Sequence, residues 1–98
     1  MEIIYATDEL KRLAEDAYFD AGFSRDIVKL YRKRVQSIAA ANDERVFYAM
    51  KGWHFEKLKG DRKEQYSMRL NLQWRLLLNF QKNDSGKFVI LLSIEDYH

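Results

Sequence analysis

The sequence predicts an α+β fold: an N-terminal strand and two helices packed on a mainly antiparallel sheet of four to five strands. Three observations carry this. Between Thr7 and Ala41 the apolar residues recur at helical spacing, and after Gly52 they alternate instead. The segment Asn83-Asp84-Ser85-Gly86 is a strong hairpin signal between two apolar runs. Ahead of the first helix, Glu2–Ala6 (EIIYA) is rich in β-branched and aromatic residues and reads as a short strand.

The elements follow in order. Thr7 is placed to cap a first helix, with Asp8 and Glu9 in the turn where the helix dipole favours acids. Leu10, Leu13, Ala14 and Ala17 line one side of it, and Gly22 is the expected end. Ser24 caps a second helix, whose stripe Ile27, Tyr31, Val35 and Ile38 runs to about Ala41. Lys29, Arg32, Lys33 and Arg34 fall mostly off that stripe and are expected at the surface. Residues 44–50 have room for one more helical turn. Residues 53–58 read as a strand, Lys59–Glu64 as a loop around Gly60. In the next strand Tyr66, Met68 and Leu70 face one way, while Ser67, Arg69 and Asn71 face the other. A turn near Asn71–Leu72 leads to Trp74, Leu76, Leu78 and Phe80, alternating with Arg75, Leu77 and Asn79. The run Phe88–Ile94 is nearly all apolar, so it is expected to be central. Helices then cover one sheet face. The other is left open, carrying Arg69 and Arg75.

Composition narrows the function. The chain has 98 residues and is expected to form one domain over 1–98. It has no cysteine, so neither disulfides nor a thiolate nucleophile nor a cysteine zinc site is available. No run of about 18 apolar residues is present, and no membrane span is expected. The start MEIIYATDEL carries an acid where a secretion signal would be basic, which fits a cytoplasmic protein. Residues 1–50 hold 8 Lys and Arg against 9 Asp and Glu, whereas residues 51–98 hold 9 against 6. A basic half on a small domain points to a polyanion partner. There is no glycine-rich phosphate loop. The two histidines, His54 and His98, stand far apart, so no metal site is expected. What remains is a basic and aromatic set: Lys59, Arg62, Arg69, Arg75, Tyr97 and His98. RNA can be cut with such groups, because the 2′-hydroxyl is itself the nucleophile. The enzyme then supplies a base, an acid and cations for the developing charge. Arg75 also has a structural option, an ion pair with Asp96 or Glu95.

Residues 55–75, FEKLKGDRKEQYSMRLNLQWR, contain a Leu-Lys-Gly-Asp-Arg loop, a serine-led strand and a Gln-Trp-Arg segment. The chain ends in Glu-Asp-Tyr-His. In this order these motifs resemble the HigB-type killer toxins of the RelE/ParE superfamily. The resemblance implies a RelE-like fold and a toxin of a type II toxin–antitoxin system. It further implies a ribosome-dependent, metal-independent endonuclease that cuts messenger RNA and inhibits translation, with no cofactor. By the same resemblance, Lys59 and Arg75 hold the scissile phosphate and Gln73 helps bind RNA. Asp96, Tyr97 and His98 provide base stacking and acid–base groups. Glu56 falls where many members carry histidine, so the acid–base role passes to Glu56, His98 or His54. Arg62, Arg69 and His54 complete the RNA-binding candidates. The implied partners are a HigA-like helix-turn-helix antitoxin, operator DNA through that antitoxin, the 30S decoding site and messenger RNA. The basic residues of the second helix (Arg32, Lys33, Arg34) are expected to contact ribosomal RNA. Two alternatives stay open: a non-enzymatic ParE-like toxin that poisons DNA gyrase, and an inactive RNA- or ribosome-binding relative.

Overall fold

The structure, a computed structural model, describes residues 1–96. Within them the order is β1 (Glu2–Tyr5), α1 (Asp8–Glu15), α2 (Arg25–Ala40), α3 (Arg45–Ala49), β2 (Glu56–Lys57), β3 (Tyr66–Arg69), β4 (Trp74–Asn83) and β5 (Gly86–Asp96). Short 3-10 turns occupy Lys51–Trp53 and Gly60–Arg62. The strands form one mixed five-stranded sheet in the order β1-β5-β4-β3-β2. β1 runs parallel to β5, and the remaining pairs are antiparallel. β5 thus lies between β1 and β4, which accounts for its continuous apolar run.

The helix starts are as the sequence predicts. Thr7 Oγ1 accepts from the Leu10 N–H at 3.1 Å, and Ser24 Oγ from the Ile27 N–H at 3.3 Å. The end of α1 differs. It stops at Glu15 rather than at Gly22. Asp16 leaves the helical backbone, and its carboxylate accepts from the Tyr18 N–H at 2.9 Å. Arg32 then reaches over from α2 and donates to the carbonyls of Leu13, Asp16 and Phe19. The Leu13 carbonyl is one of those a helix end leaves open, and the other two lie on the chain that leaves it, so a residue remote in sequence holds both the end of α1 and the turn beyond it. Ala21 and Gly22, both at positive φ, belong to the following turn.

Arg34 also departs from expectation. It is 8% exposed, stacks its guanidinium 4.4 Å from the Trp53 ring and donates to the Arg69 carbonyl. Burial pushes its pKa down to about 10. Of the three helix-two cations expected to meet RNA, Arg34 is therefore buried and Arg32 is engaged with α1. Lys33 remains exposed.

The predicted strand at 53–58 shrinks to Glu56–Lys57. The chain turns at His54, in the left-handed region with φ 45°. That turn lets Trp53 pack at 5.8 Å from Phe47 and Phe55 stack at 5.2 Å on Tyr66. Aromatic burial outweighs strand continuity here.

The helices bury their stripes on one sheet face. Leu10, Leu13, Ile27, Tyr31, Ile38 and Phe47 from the helices meet Met68, Leu76, Leu78, Val89 and Leu91 from the sheet in a single core. At the junction of Leu77 and Leu78 the register with β5 slips: Leu77 faces Ser93 and Leu78 faces Leu91. The extra residue, Leu92, is on β5, so Leu91 and Ile94 both face the helix side opposite Leu78 and Leu76, while Ser93 and Glu95 turn to the other face.

Candidate functional site

Directly opposed residues on neighbouring strands share a sheet face. The register therefore lays two rows across the side away from the helices. The first runs Glu56, Ser67, Leu77 and Ser93 across β2, β3, β4 and β5. The second, one pleat along, runs Arg69, Arg75 and Glu95. Leu77 is 1% exposed yet stands apart from the helix-side core, so the flanking side chains close over this face as well.

Printed on these rows is a charge pattern. Arg69 and Arg75 are adjacent like charges, which cost energy at this spacing unless anions balance them. Arg75 Nη1 approaches Ser67 Oγ at 3.5 Å, and across from Arg75 lies Glu95. Both Glu95 oxygens are bonded. Oε1 accepts from Arg62 Nη1 at 2.8 Å, and Oε2 from Ser93 Oγ at 2.8 Å. The Arg62 hydrogen bond is the main reason the Glu95 carboxyl lies below its ordinary range, with Ser93 and the charges of Arg62 and Arg75 adding to it.

The rows place Glu56, Arg69 and Arg75 on one face, and Arg62 joins the arginine row through Glu95. Lys59 is exposed and immediately precedes the Gly60–Arg62 turn, where Gly60 takes a φ of 70°. Arg62 thus ties the loop that carries Lys59 to β5. Gln73 and Asp96 sit elsewhere. Gln73 Nε2 donates to Asp96 Oδ2 at 3.2 Å, and Asp96 pairs with Trp74, on the pleat opposite to Glu95. His54 is exposed but lies outside the strand, so the regular-strand placement that would set it beside Glu56 does not hold. Tyr97 and His98 lie outside the described residues.

The sequence reading did not select Ser67 or Ser93 for the site, and it named Glu95 only as one of two possible ion-pair partners of Arg75. The alternation Ser67/Arg69 was readable in the sequence. The pairing of Ser93 with Leu77, and of Glu95 with Arg75, rests on a bulge that leaves no local mark. Chemically, the face offers a carboxylate at one edge, guanidinium groups in the middle and hydroxyls between them. That suits an extended polyanion better than a small enclosed molecule. Among the described residues no group of three or more His, Asp and Glu side chains could hold a metal ion, and no helix is long and apolar enough to cross a membrane.

Comparison with known proteins gives a concordant picture. The HigB-like toxin family model, the RelE-like toxin of type II toxin–antitoxin system HigB, matches residues 4–98. Among solved structures, a YoeB/ParE toxin from Agrobacterium tumefaciens superposes with a TM-score of 0.61 at 14% identity, over 100% of both chains. At that identity the match speaks for the fold. No curated protein matches the sequence.

Proposed function

Because this chain belongs to the HigB-like toxin family of type II toxin–antitoxin systems, we propose that it is a ribosome-dependent endonuclease that cuts messenger RNA. The observation that carries the reading is the pair of rows on the face away from the helices, which place Glu56, Arg69 and Arg75 on one side of the sheet with the Arg62–Glu95 ion pair. In the proposed reaction a base takes the proton of a 2′-hydroxyl. The 2′-oxygen bonds to the neighbouring phosphorus, and the P–O5′ bond breaks. An acid protonates the leaving 5′-oxygen, and a 2′,3′-cyclic phosphate remains. Glu56 is the base in this scheme, since it stands at the row edge opposite Ser67, whose hydroxyl the Arg75 guanidinium approaches from the next strand. Lys59 and Arg75 stabilise the charge that develops on the phosphate oxygens, the larger part of such catalysis. His98 serves as acid, and Tyr97 stacks on a base. Gln73 and Asp96, bonded to each other, bind the RNA from the neighbouring edge.

Family membership implies an antitoxin partner. In the proposed form that partner is a HigA-like helix-turn-helix protein that represses its own operon, with this chain acting in the cytoplasm on the 30S decoding site.

The test is induced expression in bacteria followed by mapping of messenger 5′ ends. Growth arrest with new, translation-dependent cuts inside coding regions is expected. The double variant K59A/R75A should fold, as judged by its thermal melt, yet neither arrest growth nor cut messages; undiminished toxicity in it would overturn the assignment. Arrest with intact messages and DNA-damage signalling would instead indicate a gyrase-poisoning toxin. Ribosome binding without cleavage would indicate an inactive relative.

A further inference from the structure

Glu95 stands where a substrate anion is wanted. Its carboxylate is held by one guanidinium N–H and one hydroxyl, with a second guanidinium as its cross-strand partner. Proteins use this donor set to bind phosphate oxygens, because a planar guanidinium and an O–H match both carboxylate and phosphate geometry. The pair is also readily exchanged. The Arg62 side chain is 51% exposed and the Glu95 side chain 36%, and ion pairs this open hold only weakly. Nor is it a local by-product of the chain, since Arg62 sits on the loop after β2 and Glu95 at the end of β5.

We propose that Arg62, Arg75 and Ser93 form a phosphodiester-binding subsite which Glu95 fills in the unliganded protein, and that an RNA phosphate takes its place on binding. The inference rests on the reading of this face as an RNA-binding one. One monoanion replaces another between the same cations, and the released carboxylate turns to water at its exposed edge. An isolated phosphate gains little from this exchange. A chain of phosphates gains more, because Lys59 and Arg69 engage its neighbours. Glu95 therefore raises the threshold for anions in general and leaves RNA as the favoured ligand.

The test measures fluorescence anisotropy of a short 2′-O-methyl oligoribonucleotide, which lacks the attacking hydroxyl and is not cut. E95Q keeps the shape of the side chain and removes its charge; it should bind roughly five-fold more tightly than the unaltered protein, the factor that corresponds to losing an exposed ion pair as competitor. R62Q should bind less tightly, and R62Q/E95Q should gain less from the loss of Glu95 than E95Q does. A second measurement uses the unaltered protein, so that a folding defect in the variant decides nothing. The carboxyl carbon resonance of Glu95 should shift as the oligonucleotide is added. Equal or weaker binding by E95Q with an unchanged melt, a Glu95 resonance that stays still while the oligonucleotide binds, or binding by neither protein would each overturn the proposal. Tighter binding by E95Q together with uncut messages on translating ribosomes would leave the subsite standing and remove the cleavage reading alone.

Discussion

Glu56 is the side chain on which the proposed chemistry turns. It sits on a two-residue strand, paired with Ser67, the residue whose hydroxyl the Arg75 guanidinium approaches from the far side. A carboxylate at that place can accept a proton from a hydroxyl whose phosphate is held by the arginines. E56Q preserves volume and removes the basic oxygen. Single-turnover cleavage on programmed ribosomes is expected to fall by about 10²–10⁴-fold, the usual range for loss of a general base. Ribosome binding should stay within a factor of a few. Equal losses in binding and cleavage would instead make Glu56 a contact residue, and cleavage at the original rate would move the base elsewhere.

The segment between β2 and β3 shows how a short element is held. Its internal bonds are local: the Leu58 N–H donates to the Gln65 carbonyl at 2.9 Å and the Gln65 N–H to the Arg62 carbonyl at 2.8 Å. Its tie to β5 is the Arg62–Glu95 pair. The Glu95 carboxyl lies below its ordinary range in the folded chain, so the pair contributes fully above the ordinary carboxylate pKa. That contribution is lost as pH falls through the lowered folded value. Arg62 side-chain resonances and the amide signals of Gly60 and Asp61 should hold steady through mildly acidic pH and move only under strongly acidic conditions. Movement of these signals near neutral pH would contradict the ion pair. Loop and strand end should respond together, since one interaction joins them.

Over the whole molecule, Arg34 joins the helix layer to the sheet. Its guanidinium stacks on Trp53 and donates to the carbonyl at the end of β3, from a position 8% exposed. R34A would remove the bond to the Arg69 carbonyl and unpack one face of the Trp53 ring. A loss of about 1–3 kcal/mol in denaturant unfolding is expected. At about 4–8 °C per kcal/mol for a protein of this size, the thermal midpoint should drop measurably. R34M, which keeps the apolar stem, should lose less. An unchanged midpoint in R34A would mean the contact adds nothing net. Domain stabilities of about 5–15 kcal/mol make such a loss consequential.

Periodicity and capping chemistry are local properties, and for that reason the elements were largely legible in the residues. Thr7 and Ser24 mark helix starts because their side chains bond the N–H three residues on. The alternation from Tyr66 to Phe80 assigns inward and outward faces, and the apolar run of β5 marks a central strand. The motif resemblance pointed to the same toxin family that the family model matches. Tertiary packing decided the rest. α1 ends where Arg32 reaches the carbonyls of Leu13 and Asp16, Arg34 is buried against Trp53, and the first strand of the predicted sheet half is cut short at His54 by aromatic packing. Of the candidate site, the outward set of Ser67 and Arg69 followed from pleat alternation. The choice of Glu95 over Asp96 as the residue aligned with Arg75, and the capture of Glu95 by Arg62, did not. Those depend on a β-bulge and on a contact between distant segments, and both are chosen by the packing of the folded chain rather than by the preferences of neighbouring residues.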